Sequence, residues 1–236
     1  MENDYTLIIT NYNQNDELEK CINYWKNINT PPKYYIISDD GSDVVPKESD
    51  GIKVITQPHY YNVSQLRNRA VDICQTEKFV VIDPSLYPYK NTMEYMLKYS
   101  NPHKKTIPIL IKVDTFIFPT IIVPAIQIEL QPLDTVYAIN INVSYMTNYV
   151  YWNEIYTGWG AEDNDFNYRC RLSGIKFHLI ALPFIHLNHP SNVKNLQDEN
   201  NSKRNMNYLQ LLTDKYFEKN ITIIEKDKDG NRIIYP

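Results

Sequence analysis

Cysteine is scarce: the chain has three in 236 residues, Cys21, Cys74 and Cys170, and none in Cys-x-x-Cys spacing. That excludes a disulfide framework and a cysteine zinc site, and it fits a reducing compartment. Long apolar runs are missing too, since none approaches the ~20 residues that cross a bilayer. The opening Met1-Glu2-Asn3-Asp4-Tyr5 is acidic and lacks the basic, then apolar, character of a signal peptide. There is no surplus of positive charge either. The formal net charge of −4 argues against a nucleic-acid partner or an anionic membrane surface. The one basic spot, residues 98–105, reads as a solvated loop. The expectation is a soluble cytoplasmic protein forming one domain over residues 1–236.

What is present is a strand–helix alternation. Residues 5–10 form an apolar run, and residues 16–27 place Leu18, Cys21, Ile22 and Trp25 at helical spacing, with Asn15 or Asp16 as cap. Strands follow at 34–38, 52–56 and 79–82, with a helix at 63–74. This order predicts parallel strands joined by right-handed crossovers, whose ligands bind beyond the carboxyl ends. Those ends are Thr10-Asn11-Tyr12, Asp39-Asp40 and Asp83, so the three should share a crevice. The second half reads as β-rich at 107–113, 116–123 and 136–143. Helices are expected at 162–173 and 203–216, a strand at 176–182, and a hairpin around Asp229-Gly230-Asn231.

Asp39-Asp40-Gly41-Ser42 alone is a turn sequence. Its company adds chemistry: a carboxylate can accept from a uracil N–H, a tyrosine ring can cover a base, and an arginine can neutralise a diphosphate. In order and spacing, Leu7-Ile8-Ile9-Thr10-Asn11-Tyr12-Asn13, then Ile36-Ile37-Ser38-Asp39-Asp40-Gly41-Ser42, then Leu66-Arg67-Asn68 resemble the family 2 glycosyltransferases across residues 5–85. The resemblance implies a GT-A fold: α/β, with a mixed, mostly parallel sheet flanked by helices. It also implies that Thr10, Tyr12 and Asp40 hold uridine and that Arg67 lies near the diphosphate. In that family an Asp-x-Asp ends the fourth strand and holds Mn²⁺. Here it reads Asp83-Pro84-Ser85, so a serine replaces the second carboxylate. The metal site, for Mn²⁺ or Mg²⁺, is then either weakened or completed from elsewhere. His186 and His189 in His186-Leu187-Asn188-His189-Pro190 are the candidates, with His186 preferred.

The most specific segment is Tyr156-Thr157-Gly158-Trp159-Gly160-Ala161-Glu162-Asp163-Asn164-Asp165-Phe166. Acids in a helix's first turn complement its dipole, but that gives no reason to set a tryptophan between glycines just before them. An indole face beside carboxylates suits a sugar, offering C–H stacking and hydroxyl acceptors together. The segment looks like the Gly-Trp-Gly-x-Glu-Asp-x-Asp motif of β-galactosyl- and N-acetylgalactosaminyl-transferases. The resemblance implies Asp163 as general base, with Glu162 and Trp159 binding the acceptor. Ala161 stands where a glycine often sits. Glu162 and Asp165 are expected to oppose ionisation of Asp163, while Phe166 and Cys170 anchor the helix.

Together these readings give an inverting, metal-assisted transferase that moves a hexose or N-acetylhexosamine from a UDP-sugar to a sugar hydroxyl. Residues 1–105 form its donor half and 106–236 its acceptor half. Two alternatives stand beside it: a non-catalytic sugar- or nucleotide-binding relative, and a sugar nucleotidyltransferase. The latter ranks last, because residues 10–16 hold no glycine or basic residue for a phosphate loop.

Overall fold

Alternation along four short strands builds the centre of the protein. Strands β1 (Tyr5–Asn11), β2 (Tyr34–Asp39), β3 (Ile52–Thr56) and β4 (Lys78–Ile82) lie parallel in the order β3-β2-β1-β4. Successive side chains point to opposite faces. Leu7, Ile9, Tyr35, Ile37, Val80 and Ile82 therefore enter one core, while Ile8, Ile36, Phe79 and Val81 enter another. The first core is covered by helix α1 (Asn15–Lys26), through Leu18, Cys21 and Trp25. Helix α2 (Val63–Asp72) covers the second through Ala70 and Val71. Burial on both faces is what a parallel sheet with crossover helices requires.

The computed structural model describes residues 4–59, 61–113, 141–158, 160–187, 196–218, 223–226 and 232–235. After β4 come strand β5 (Leu86–Pro88), helix α3 (Thr92–Tyr99) and strand β6 (Lys104–Val113). Strand β7 (Ser144–Tyr145) joins the edge of the central sheet, antiparallel to β4. Helix α4 (Glu162–Leu172) leads into strand β8 (Lys176–Leu187), which sits between β5 and β6 in a second sheet. Helix α5 (Leu196–Glu218) and the antiparallel pair β9 (Ile223–Lys226) and β10 (Arg232–Tyr235) complete the described chain. No helix among the described residues is long and apolar enough to cross a membrane.

Chain order 1-2-3 runs to one side of β1 and β4 returns on the other, which puts a topological switch point between β1 and β4. Ligands of open α/β sheets bind at such a point, beyond the strand ends. Thr10 Oγ1 donates to Asp83 Oδ1 across it at 2.5 Å.

Several local expectations change. Helix α1 has Gln14 as its N-cap, without a side-chain bond. Asn15 instead donates to Val44 O at 2.7 Å, tying the helix start to the turn after β2. Strand β8 runs past Pro183 because the proline pairs with Ile109 at a register shift, where the ladder is already interrupted. Lys105 is no loop residue. It is buried on β6 with Nζ 4.2 Å from the centroid of the Phe166 ring, and burial pushes its ammonium pKa down against the opposing pull of Cys170. The strand expected at 116–123, most of that at 136–143, and the turn at 229–231 lie outside the described residues.

Candidate functional site

Beyond the carboxyl ends of the strands lies an open cleft of about 310 Å³. Its walls include Thr10, Tyr12, Asp40, Arg67, Asp83, Glu162 and Asp163. Seven of the ten residues singled out from the sequence are thus brought into one space, from five different stretches of chain. Of the other three, Trp159 and His189 lie outside the described residues. His186 sits on β8 opposite Leu86, and it does not line the cleft.

The adjacent aspartates after β2 have different tasks. Asp39 is fully buried and accepts from Asn11 Nδ2 (2.7 Å), Ser42 Oγ (2.6 Å), Ser42 N (2.9 Å) and Gly41 N (3.1 Å). It builds the turn. Asp40 is the one that lines the cleft, and it accepts from Gln57 Nε2 at 3.0 Å, His59 Nδ1 at 2.7 Å and Tyr61 N at 3.2 Å. The turn needs glycine at position 41. Its φ is +76°, and a Cβ there would lie 2.7 Å from His59 N and 2.8 Å from Gln57 O.

Helix α2 couples the two halves of the site. Arg67 donates from Nη1 to Asp163 Oδ1 at 2.5 Å, and its guanidinium carbon lies 5.2 Å from the centroid of the Trp152 ring. Burial disfavours the guanidinium charge, but Asp163, Glu162 and Asp83 together outweigh that and hold it firmly protonated. Its Nε is buried without a hydrogen-bond partner. The next residue, Asn68, takes both polar groups of the Trp152 backbone: Nδ2 donates to Trp152 O (2.8 Å) and Oδ1 accepts from Trp152 N (3.0 Å). Trp152 stacks on Phe166, with centroids 4.1 Å apart, and its Nε1 donates to Asp163 Oδ1 at 3.3 Å. The Arg-Asn pair therefore fixes the carboxylate both directly and through the indole beneath it.

Glu162 opens α4 and is 8% exposed, with Oε2 unpartnered. Burial first, then the charges of Asp163 and Asp83, push its pKa up to about 7 against the pull of Arg67. Asp165 does not join this cluster. It is fully buried in a 2.8 Å ion pair with Arg169 one turn along, so the repulsion expected from it is met by a cation instead. Phe166 and Cys170 are fully buried anchors, as their spacing implied. Ala161 has φ +73°, which explains why a glycine suits this position.

Helix α5 holds the segment before α4. Asn205, fully buried, donates to Thr157 O (3.1 Å) and Gly160 O (3.0 Å), and Arg204 donates to Thr157 Oγ1 at 2.6 Å. A Cβ on Gly158 would lie 2.5–2.9 Å from the Asn201 side chain, so the glycine lets α5 close on this loop.

Among the described residues no group of three or more His, Cys, Asp or Glu side chains is placed to hold a metal ion by itself. A hard divalent cation needs only one or two carboxylates when phosphate oxygens complete its shell. Asp83, facing the cleft at the switch point, fits that need. Ser85, where a second carboxylate was looked for, is 3% exposed and absent from the cleft lining.

A strand order of 3-2-1-4, a cleft at the switch point and acids from both halves describe an architecture, and comparison with known proteins names it. The profile of glycosyl transferase family 2 matches residues 6–160. The chain belongs to glycosyltransferase family 2. This family 2 chain is also similar in fold to crystal structures of S. aureus TarS. For TarS 1–349 in complex with UDP-GlcNAc the identity is 15% and the TM-score 0.59, over 80% of this chain and 60% of that one. With TarS 1–349 in complex with UDP the figures are 14% and 0.59, over 92% and 72%. TarS 1–349 alone gives 15% and 0.56, over 78% and 60%. The family 2 chain thus spans about 60% of the length of the first of these structures. No curated protein matches it in sequence. The matched region ends just before Glu162, so the acids of α4 take their place in this cleft from geometry alone.

Sequence reasoning missed His59, Trp152 and Asn205. For His59 a signal was present. The strand-tip argument, extended to β3, points directly at Gln57-Pro58-His59. The other two act across separations of 84 and 45–48 residues, which no local pattern reports.

Proposed function

We propose that this family 2 glycosyltransferase moves a hexose or N-acetylhexosamine from a UDP-sugar to a hydroxyl of a sugar acceptor, inverting the anomeric centre. The observation that carries the reading is the shared cleft. Asp163 and Glu162 of α4 line the same space as Thr10, Tyr12, Asp40 and Asp83 at the strand tips. Tyr12 and Asp40 would take the uracil ring and its N–H. Arg67, whose Nε is buried without a hydrogen-bond partner, would take a diphosphate oxygen. That fold neighbours were crystallised with UDP-GlcNAc and UDP supports this choice of donor class.

Asp163 would remove the acceptor proton as the oxygen attacks C1 from the face opposite the leaving diphosphate. Its orientation is set by Arg67 and the Trp152 indole, so the base is positioned before an acceptor arrives. Glu162 and Trp159 would bind the acceptor, as the resemblance to the galactosyltransferase motif implies. Mn²⁺ or Mg²⁺ would be held by Asp83 together with the diphosphate, and when bound it supplies positive charge for the leaving group. His186, on the strand paired with the residues after Asp83, is the candidate for a further ligand.

Incubating the protein with a panel of UDP-sugars, with and without Mn²⁺, and measuring released UDP tests the proposal. Release from at least one UDP-hexose or UDP-N-acetylhexosamine is expected, rising with Mn²⁺. Binding of UDP without any release would favour the non-catalytic relative, for which the loss of a carboxylate at Ser85 speaks.

A further inference from the structure

The cleft holds a side chain that the donor reading does not use. His59 stacks on Tyr12 with ring centroids 3.9 Å apart and planes 4° from parallel, and it meets the Tyr61 ring edge-on, with centroids 3.8 Å apart and planes 60° apart. At the same time its Nδ1 lies 2.7 Å from Asp40 Oδ2 and 3.0 Å from Asp40 O, which makes Nδ1 the donating nitrogen. A flat heteroaromatic ring lying on Tyr12 and giving an N–H to Asp40 is the pair of contacts that a uracil ring would make there.

Two consequences follow from the geometry. A base inserted between Tyr12 and His59 would need the rings roughly 7 Å apart, two contact separations, where only 3.9 Å separates them. Asp40, moreover, is already engaged by Gln57, His59 and Tyr61, and Oδ2 carries two of these donors. A carboxylate has about four acceptor positions, two on each oxygen, so an N–H directed at Oδ2 meets an atom whose positions His59 and Tyr61 already fill.

Tyr61, two residues on, has a left-handed backbone, with φ +51°, and is 41% exposed. His59 Nε2 is buried without a partner, so the closed arrangement leaves one polar group unsatisfied.

We propose that His59 fills the nucleobase slot as an internal stand-in for the pyrimidine, and that nucleotide binding displaces it from Tyr12. The proposal rests on the donor reading of the cleft. It makes His59 a determinant of nucleotide affinity: binding is weakened by the fraction of chains in which the slot is closed.

Calorimetric titration of UDP into the wild type, His59→Ala and His59→Phe tests this. His59→Ala should bind UDP at least about tenfold more tightly, the gain expected when the open slot is a minor state of roughly 10% or less. His59→Phe keeps a ring on Tyr12 but gives Asp40 no N–H, and should show a smaller gain. Equal or weaker binding by His59→Ala overturns the proposal while leaving the donor reading intact, because the wild type still binds. Absence of UDP binding in all three proteins overturns the donor reading and this proposal with it. A crystal of the wild type soaked in UDP gives a second readout. His59 lifted from Tyr12 supports displacement, and His59 still stacked there beside a bound base refutes it.

Discussion

Raising the pH of the ligand-free protein, with chelator present, should cost it stability through Glu162. This carboxyl is 8% exposed, has one oxygen without a partner, and faces Asp163 and Asp83 as well as Arg67. Its pKa rises from 4.5 to about 7 on folding, with burial the leading cause. A raised folded pKa means that the native state holds the proton more tightly than the unfolded chain does. The associated stability is fully present below pH 4.5 and is lost as the pH climbs through about 7. At about 1.4 kcal/mol per unit the loss across that window is on the order of 3 kcal/mol. Glu162→Gln cannot ionise and should lack this component. Urea denaturation of both proteins between pH 4.5 and about 8 reads the effect as a difference curve. The variant should gain on the wild type by a few kcal/mol as pH rises. A flat difference curve would mean that Glu162 is solvated, and the account of the α4 start would be wrong.

Two other substitutions probe the scaffold of the site. Arg67→Lys loses the fork that reaches Asp163 and the stack over Trp152, so kcat/KM for transfer should fall about 10- to 100-fold, the equivalent of ~1.5–3 kcal/mol. Activity close to wild type would show that the ion pair does not organise the base. Gly158→Ala places a Cβ against Asn201 at a φ of +74°, and should destabilise by about 2 kcal/mol, lowering Tm by roughly 4–8 °C. An unchanged melting temperature in differential scanning calorimetry would contradict the described closure of α5 on this loop.

The parts legible in the sequence were those with local signatures. Strands β1, β2 and β4 end in the polar residues that line the cleft, because alternation, chain order and the strand-end rule are all properties of short segments. The start of α4 was legible for the same reason, as an acidic first turn behind glycines. What stayed hidden was pairing across distance. Arg67, expected near a diphosphate from its motif, also pairs with Asp163, 96 positions away. Asn68 resembled a motif letter, and its work is to hold the Trp152 backbone. Lys105 shows the converse error: a charge run looked solvated, although the side chain of this lysine is covered by the Phe166 ring.

Asp163→Asn tests the proposed base most directly: asparagine keeps an oxygen for Arg67 Nη1 and the shape of the side chain, while the basicity goes together with the charge. Release of UDP from the preferred donor in the presence of acceptor should drop by roughly 10²–10⁴-fold, while UDP affinity measured by calorimetry stays within about twofold of wild type. Undiminished transfer by this variant would contradict the account.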